Sequence, residues 1–125
     1  MLRKLVYLAV FGVLGTFARY WLSGAVQRLV GVGFPWGTWA VNILGCFLFG
    51  LVWVLAEERS LISSEMRVII LVGFMGAFTT FSTYIFESSQ LAFDAQWGRL
   101  AANLVGQNVV GFAGFVLGMS LGRAL

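Results

Sequence analysis

Polar side chains interrupt otherwise apolar stretches of this sequence, and they are the residues whose types and spacing could do chemistry. In the first stretch Gly12, Thr16, Arg19 and Ser23 recur with the spacing of one helical face. A polar group in so apolar a stretch is costly and is therefore a functional hypothesis. Arg19 is a permanent cation with five donors. Two interpretations are open: Arg19 attracts an anion, or Glu87 or a neighbouring helix end satisfies its charge.

The second and fourth apolar stretches also carry polar stripes. One face of the second stretch carries Thr38, Asn42, Gly45 and Phe49. The Asn42 amide is a neutral donor that suits an anion, or it joins two helices by a hydrogen bond. A related stripe in the fourth stretch is formed by Asn103, Gln107, Gly111 and Gly114, with Asn108 on a different face. Small residues four apart follow at Gly114, Gly118 and Gly122, a spacing typical of closely packed membrane helices.

The densest signal lies in the third stretch, at residues 73–84, which read GFMGAFTTFSTY. Several hydroxyl residues and two glycines are poor formers of an uninterrupted helix. Ser and Thr side chains can bond to the backbone groups that a break sets free. A break also exposes carbonyl oxygens, which are ligands of hard cations. We therefore predict a broken helix here, with a continuous polar helix as the alternative.

These side chains must be held by membrane-spanning helices. The chain of 125 residues is 60% hydrophobic and 10% charged, with a mean hydropathy of +0.92, whereas soluble domains carry about 25% charged residues. A helix needs roughly 20 apolar residues to cross a bilayer. We predict an all-α integral membrane protein, a single domain over 1–125, with spans at about 5–28, 38–56, 68–92 and 98–122.

The composition also excludes several classes of function. The chain has no His and one Cys, Cys46, which removes structural zinc sites, disulfide scaffolds and nucleophiles activated by His. No acid–base pair converges within the spans, so we do not expect an enzyme. The positive charges are scattered singly, so we expect no nucleic-acid partner.

An even number of spans places both termini on the same side of the membrane. The positive residues on that side are Arg3, Lys4, Arg59, Arg67 and Arg123, and those on the other side are Arg28 and Arg99. The positive-inside rule then mildly favours cytoplasmic termini.

Three motifs resemble those of one family of small membrane proteins. They are residues 15–20 (GTFARY), 37–45 (GTWAVNILG) and 73–83 (GFMGAFTTFST). In length, span number and motifs, the chain resembles the small fluoride channels called Fluc or CrcB. The resemblance covers essentially the whole chain; the third motif is highly specific, and the fourth span aligns by glycine spacing alone.

The resemblance implies a passive fluoride-selective channel that exports toxic fluoride from the cytoplasm. It implies an antiparallel, dual-topology homodimer with two fluoride pathways, multi-pass in the cytoplasmic (inner) membrane of a prokaryote. It also implies a structural sodium ion at the dimer centre, held by the backbone carbonyls of Gly76 and Thr79 at the break of the third span. The partners are thus fluoride, a second copy of the chain and the lipid bilayer.

The same resemblance assigns roles to individual side chains. Arg19 is the essential cation of the first span, and the pathway residues are Asn42, Phe81, Tyr84, Thr38, Ser82, Thr83 and Gln107. Two features depart from the family. Tyr84 adds a hydroxyl where the family usually has Phe, and the excess of positive charge on one side fits poorly with dual topology.

Two other functions are alternatives to a channel. A small multidrug exporter is also a four-span dimer, but it needs a buried carboxylate to exchange protons for cationic drugs. The first span offers Arg19 instead, and Glu87 is the sole intramembrane acid candidate. The second alternative is a non-transporting structural subunit of a membrane complex.

Overall fold

Four long apolar helices make up almost the whole chain. The computed structural model describes residues 1–125, all as helices and short connections without a β-strand. The helices long and apolar enough to cross a membrane are Leu2–Val30, Trp36–Glu57, Ser64–Phe93 and Trp97–Ala124. The all-helical class is thereby confirmed, with four helices long and apolar enough to span a membrane. Each helix extends one to four residues beyond the predicted span at both ends.

The third span consists of two helical segments. We label the elements α1 (Leu2–Val30), α2 (Trp36–Glu57), α3 (residues 64–78), α4 (Phe81–Phe93) and α5 (Trp97–Ala124). Thr79 and Thr80, between α3 and α4, have extended backbones, with ψ angles of 158° and 112°. The Thr80 hydroxyl caps α4 by accepting a hydrogen bond from the Thr83 N–H. Wide π-helical turns occupy Ile69–Met75 of α3 and Ala102–Gly106 of α5.

Glycines bring the helix backbones into close contact. The C-terminal part of the buried face of α5 consists of Gly111, Gly114, Gly118 and Gly122, and it packs against α2. A Cβ atom at Gly118 would collide with the Phe47 carbonyl of α2, and one at Gly15 of α1 with the Phe74 carbonyl of α3. In a bilayer, where lipid is as apolar as the side chains, such close approach supplies the packing that holds helices together.

We expect Gly118→Ala to destabilise the folded chain by about 1–3 kcal/mol, because the added methyl group forces α2 and α5 apart. The matched control is Gly98→Ala, also in α5, where nothing lies within 4 Å of an added Cβ. This control should be neutral or slightly stabilising, since Ala favours a helix over Gly. Thermal unfolding in detergent compares the two variants, and equal midpoints would contradict the packing argument.

Short connections fix the ends of the bundle. The Gln27 side chain of α1 accepts a hydrogen bond from the Gly37 N–H at 3.0 Å and donates to the Phe34 carbonyl at 2.9 Å, so it holds the α1–α2 loop. At the opposite end, Arg123 makes two hydrogen bonds of 2.8 Å to the Glu58 carboxylate. These bonds lower the pKa of the Glu58 carboxyl group. Such exposed ion pairs contribute little to stability.

The outer surface is apolar. Only 24 of the 125 residues are buried within the chain, and large apolar side chains such as Phe17, Trp21 and Val109 are exposed. A surface of this kind suits contact with lipid or with another apolar protein face. The small core around Val41 and Phe78 lies where α2 meets α3.

Candidate functional site

An open cavity of about 570 Å³ lies beside the extended Thr79–Thr80 segment. Its walls come from α2, the α3–α4 junction, α4 and α5. Its polar lining residues are Asn42, Thr79, Thr80, Tyr84, Gln107 and Asn108, and its aromatic ones include Phe49, Phe81, Phe112 and Phe115. The structure thus brings Asn42, Phe81, Tyr84 and Gln107, which are far apart in the sequence, around one space. No ionised side chain lines this cavity.

The Asn42 side chain binds the backbone of the extended segment. Its Oδ1 accepts a hydrogen bond from the Thr80 N–H at 2.7 Å, and its Nδ2 donates to the Thr80 carbonyl at 3.1 Å. Nδ2 also donates to the Gln107 Oε1. Asn42 therefore joins α2 to the α3–α4 junction and to α5, in agreement with one of the two interpretations of the sequence. Its side chain lies at the cavity wall.

The carbonyl groups of Gly76 and Thr79, which the family resemblance predicts to hold sodium, lack the N–H donors that they would have in a continuous helix. In a continuous α-helix the Thr80 N–H would donate to the Gly76 carbonyl, and the Thr83 N–H to the Thr79 carbonyl. Here the first N–H donates to Asn42, and the second donates to the Thr80 hydroxyl at 3.3 Å. Competing side chains thus leave both carbonyl oxygens without their usual partners, and such oxygens can bind a hard cation.

Two aromatic side chains of α4 line the cavity in different ways. The rings of Phe81 and Tyr84 lie 5.6 Å apart, yet Phe81 is 74% exposed and Tyr84 only 6%. The Tyr84 hydroxyl donates to the Leu104 carbonyl at 3.3 Å and accepts from Asn108 Nδ2 at 2.9 Å. The hydroxyl that departs from the family pattern is therefore bound to α5.

The remaining predicted site residues lie outside the cavity wall. Thr38 is buried, and its hydroxyl donates to Glu87 Oε1 at 2.8 Å. Ser82 is exposed, and the Thr83 hydroxyl accepts from that of Thr80 at 2.9 Å. Arg19 is half-buried and forms no salt bridge within the chain, so Glu87 does not satisfy its charge here.

Comparison with protein families identifies the chain's relatives. The family described as CrcB-like protein, Camphor Resistance (CrcB), matches residues 6–119. The chain belongs to the CrcB family.

Relatives of high identity carry a functional name. A protein of Nitrosococcus oceani named fluoride-specific ion channel FluC is 54% identical over 125 residues, which is 100% of both chains. One of the same name from Solidesulfovibrio magneticus is 56% identical over 125 residues, again 100% of both chains. Another from Maridesulfovibrio salexigens is 50% identical over 124 residues, covering 99% of this chain and 98% of its own.

Four polar residues that the sequence did not assign to the site are connected to it by hydrogen bonds in this CrcB-family chain. Asn103 is bound to Gln107 and Asn108 to Tyr84, while Trp39 and Ser88 are bound to Asn103. Of the four, only Asn108 lines the cavity. Asn103 lies four residues before Gln107, and this spacing was a usable signal. Nothing in the sequence indicates that the Trp39 indole N–H turns inward. Asn108, expected on a different face from Gln107, reaches the same cavity from the side of Tyr84.

Proposed function

We propose that this chain is a passive fluoride-selective channel that exports fluoride from the cytoplasm down its electrochemical gradient. The observation that carries the proposal is a cavity within the membrane-spanning helices whose lining is aromatic and neutral-polar and includes the Asn42 amide donor. The name shared by its full-length bacterial relatives supports the same function.

The chemistry of the lining suits a small, strongly hydrated anion. Fluoride must exchange its water for donors. The positive ring edges of Phe81 and Tyr84 supply them, together with the N–H groups of Asn42, which fluoride takes over from their acceptors on Thr80 and Gln107. Neutral donors bind weakly enough for the ion to leave, which conduction requires. The membrane potential, about 2.3 kcal/mol per charge per 100 mV, drives an anion out of the cell without a coupled pump.

We infer that the working unit is an antiparallel, dual-topology homodimer in the inner membrane of a prokaryote. One chain leaves the cavity open and Phe81 exposed, so a second chain is needed to enclose a path. In this unit Arg19, without an ion pair in its own chain, is the cation that attracts the anion. Thr38, Ser82 and Thr83 extend the polar surface around the helix junction.

We further propose that the junction between α3 and α4 is a functional break that holds a sodium ion at the dimer centre. The carbonyl oxygens of Gly76 and Thr79 fit this role, because each has lost its helical donor. Gly76 is exposed at the chain surface, where a second chain can approach it. When bound, sodium supplies positive charge that holds these carbonyl groups together.

Sodium is expected to remain with the purified dimer, one ion per dimer, after exchange into sodium-free buffer. Thr80→Ala should lower this content, because the Thr83 N–H then returns to the Thr79 carbonyl. Ser89→Ala, which removes another α4 hydroxyl, serves as the matched control. Elemental analysis of the three proteins measures the sodium. Equal content in both variants would contradict the proposed role of the freed carbonyl.

Fluoride efflux from liposomes containing the purified chain tests the proposed function. A fluoride electrode should record rapid loss of fluoride, while chloride is retained in an identical trial with a potassium ionophore balancing charge. No fluoride loss from a folded dimer would overturn the proposal and favour a drug exporter or a structural subunit. The exporter would then be recognised by drug resistance that a protonophore abolishes.

A further inference from the structure

A continuous chain of side-chain hydrogen bonds connects the start of α2 to the α3–α4 junction. The Trp39 indole N–H donates to Asn103 Oδ1 at 2.8 Å, and Gln107 Nε2 donates to the same oxygen at 3.1 Å. The Gln107 Oε1 in turn accepts from Asn42 Nδ2, and Asn42 binds Thr80. We call Trp39, Asn103, Gln107 and Asn42 the amide relay.

The two ends of the amide relay determine its direction. An indole N–H and a backbone N–H can only donate. The Trp39 indole therefore requires that the Asn103 oxygen face it, and the Asn103 NH₂ group then donates to the Ser88 hydroxyl at 2.9 Å. At the other end, the Thr80 N–H requires that the Asn42 oxygen face it. Each amide between these ends consequently has one orientation that satisfies all its partners.

Burial makes this orientation strongly preferred. Asn103 is 0% exposed and Gln107 is 7% exposed, so water does not replace a lost partner. The Ser88 hydroxyl donates its one hydrogen to the Tyr84 carbonyl at 2.7 Å and accepts from Asn103 at 2.9 Å, but it can rotate to donate to Asn103 instead, so it orients Asn103 less firmly than the fixed indole N–H does. Removal of the indole N–H therefore leaves only this rotatable hydroxyl to orient the relay at the α2 end.

We propose that Trp39 and Asn103 are positioning residues that act on Asn42 through Gln107. They keep the Gln107 oxygen turned toward Asn42, which holds the Asn42 amide in the plane that binds Thr80 and keeps its N–H groups at the cavity wall. This inference rests on the proposed function, in which Asn42 is the donor of the fluoride pathway. It adds two residues, one at the start of α2 and one in α5, to those that decide fluoride passage.

The test compares Trp39→Phe with Trp36→Phe in the liposome efflux assay. Both changes replace an indole by a smaller ring in the same aromatic cluster, but Trp36 is 40% exposed and lies outside the amide relay. We expect Trp39→Phe to lower the fluoride rate roughly tenfold, the usual effect of removing one partner of a buried hydrogen bond. Trp36→Phe should transport like the wild type, and equal rates in the two variants would overturn the inference.

A double variant separates positioning from general damage. In an Asn42→Ser background, Trp39→Phe should cause no further loss, because the residue through which it acts is already changed. Additive losses would overturn the inference. Asn103→Ser should lower the fluoride rate in the same way, and it too should cause no further loss in the Asn42→Ser background. This variant keeps the inference testable if Trp39→Phe does not fold.

Hydrogen exchange tests the amide relay independently of fluoride transport. The Trp39 indole hydrogen should exchange with deuterium much more slowly than that of Trp36, and Asn103→Ser should reduce the difference. Equal exchange of the two indoles in the wild type would overturn the relay itself. If the two indoles exchange at different rates but the wild type does not transport fluoride, the proposed function is wrong and the relay stands. The failure of the relay and the failure of the proposed function are therefore distinguishable.

Discussion

Asn42→Asp is expected to abolish fluoride transport. The carboxylate keeps the oxygen that accepts from the Thr80 N–H, but it lacks the N–H groups that donate to the Thr80 carbonyl and Gln107. It also places a negative charge at the cavity wall. Two like charges about 4 Å apart repel by about 4 kcal/mol at an effective dielectric constant of about 20, which corresponds to a loss of roughly a thousandfold.

The neutral variant Asn42→Ser distinguishes the two causes of this loss. It removes the amide donors without adding charge, so it should retain measurable transport at roughly a tenth of the wild-type rate. The liposome efflux assay measures both variants, with dimer elution as the check on folding. Full transport by Asn42→Asp would show that this side chain does not contact the permeating ion.

Phe81→Ile is expected to lower fluoride transport by up to about tenfold, the factor that corresponds to one aromatic-edge contact of about 0.5–1.5 kcal/mol. The isoleucine side chain keeps an apolar surface but has no positive ring edge to present to the anion. Because Phe81 is 74% exposed in the single chain, the change removes little core packing from the fold. The variant should therefore elute as a dimer with an unchanged thermal midpoint.

Phe93→Ile is the matched control for this experiment. Phe93 lies in the same helix, is 81% exposed, and is not part of the cavity wall. Its replacement should leave the fluoride rate unchanged, so a loss confined to Phe81→Ile identifies the ring at the cavity as the cause. Equal rates for the two variants would reject the ring-edge argument.

Much of the fold is predictable from the sequence because hydropathy acts locally. A long apolar run must become a helix in a bilayer, since no water satisfies its backbone, so composition alone indicated the class of protein and its four spans. The glycine spacing of the fourth span likewise predicted the face of α5 that packs closely. Hydroxyl residues and glycines also drew attention to residues 73–84 of the third span.

The partners of the polar side chains could not be predicted in the same way. Arg19 had Glu87 as a candidate partner in the sequence, but Glu87 accepts a hydrogen bond from Thr38. The additional hydroxyl of Tyr84 had no assigned partner, and the structure binds it to Leu104 and Asn108. A single sequence states which groups need partners but not which helix faces meet.

The sequence by itself thus determined a four-helix membrane protein and the motifs of the CrcB family. Only the tertiary structure decided that Asn42 binds Thr80, 38 residues away, and Gln107, 65 residues away. The physical reason is that hydropathy is a sum over neighbouring residues. A hydrogen bond between two packed helices instead depends on the rotation of each helix about its axis and on its position along that axis, to within a fraction of an ångström. Those two quantities arise from the packing of the whole bundle, including the glycine contacts that bring α2 and α5 together.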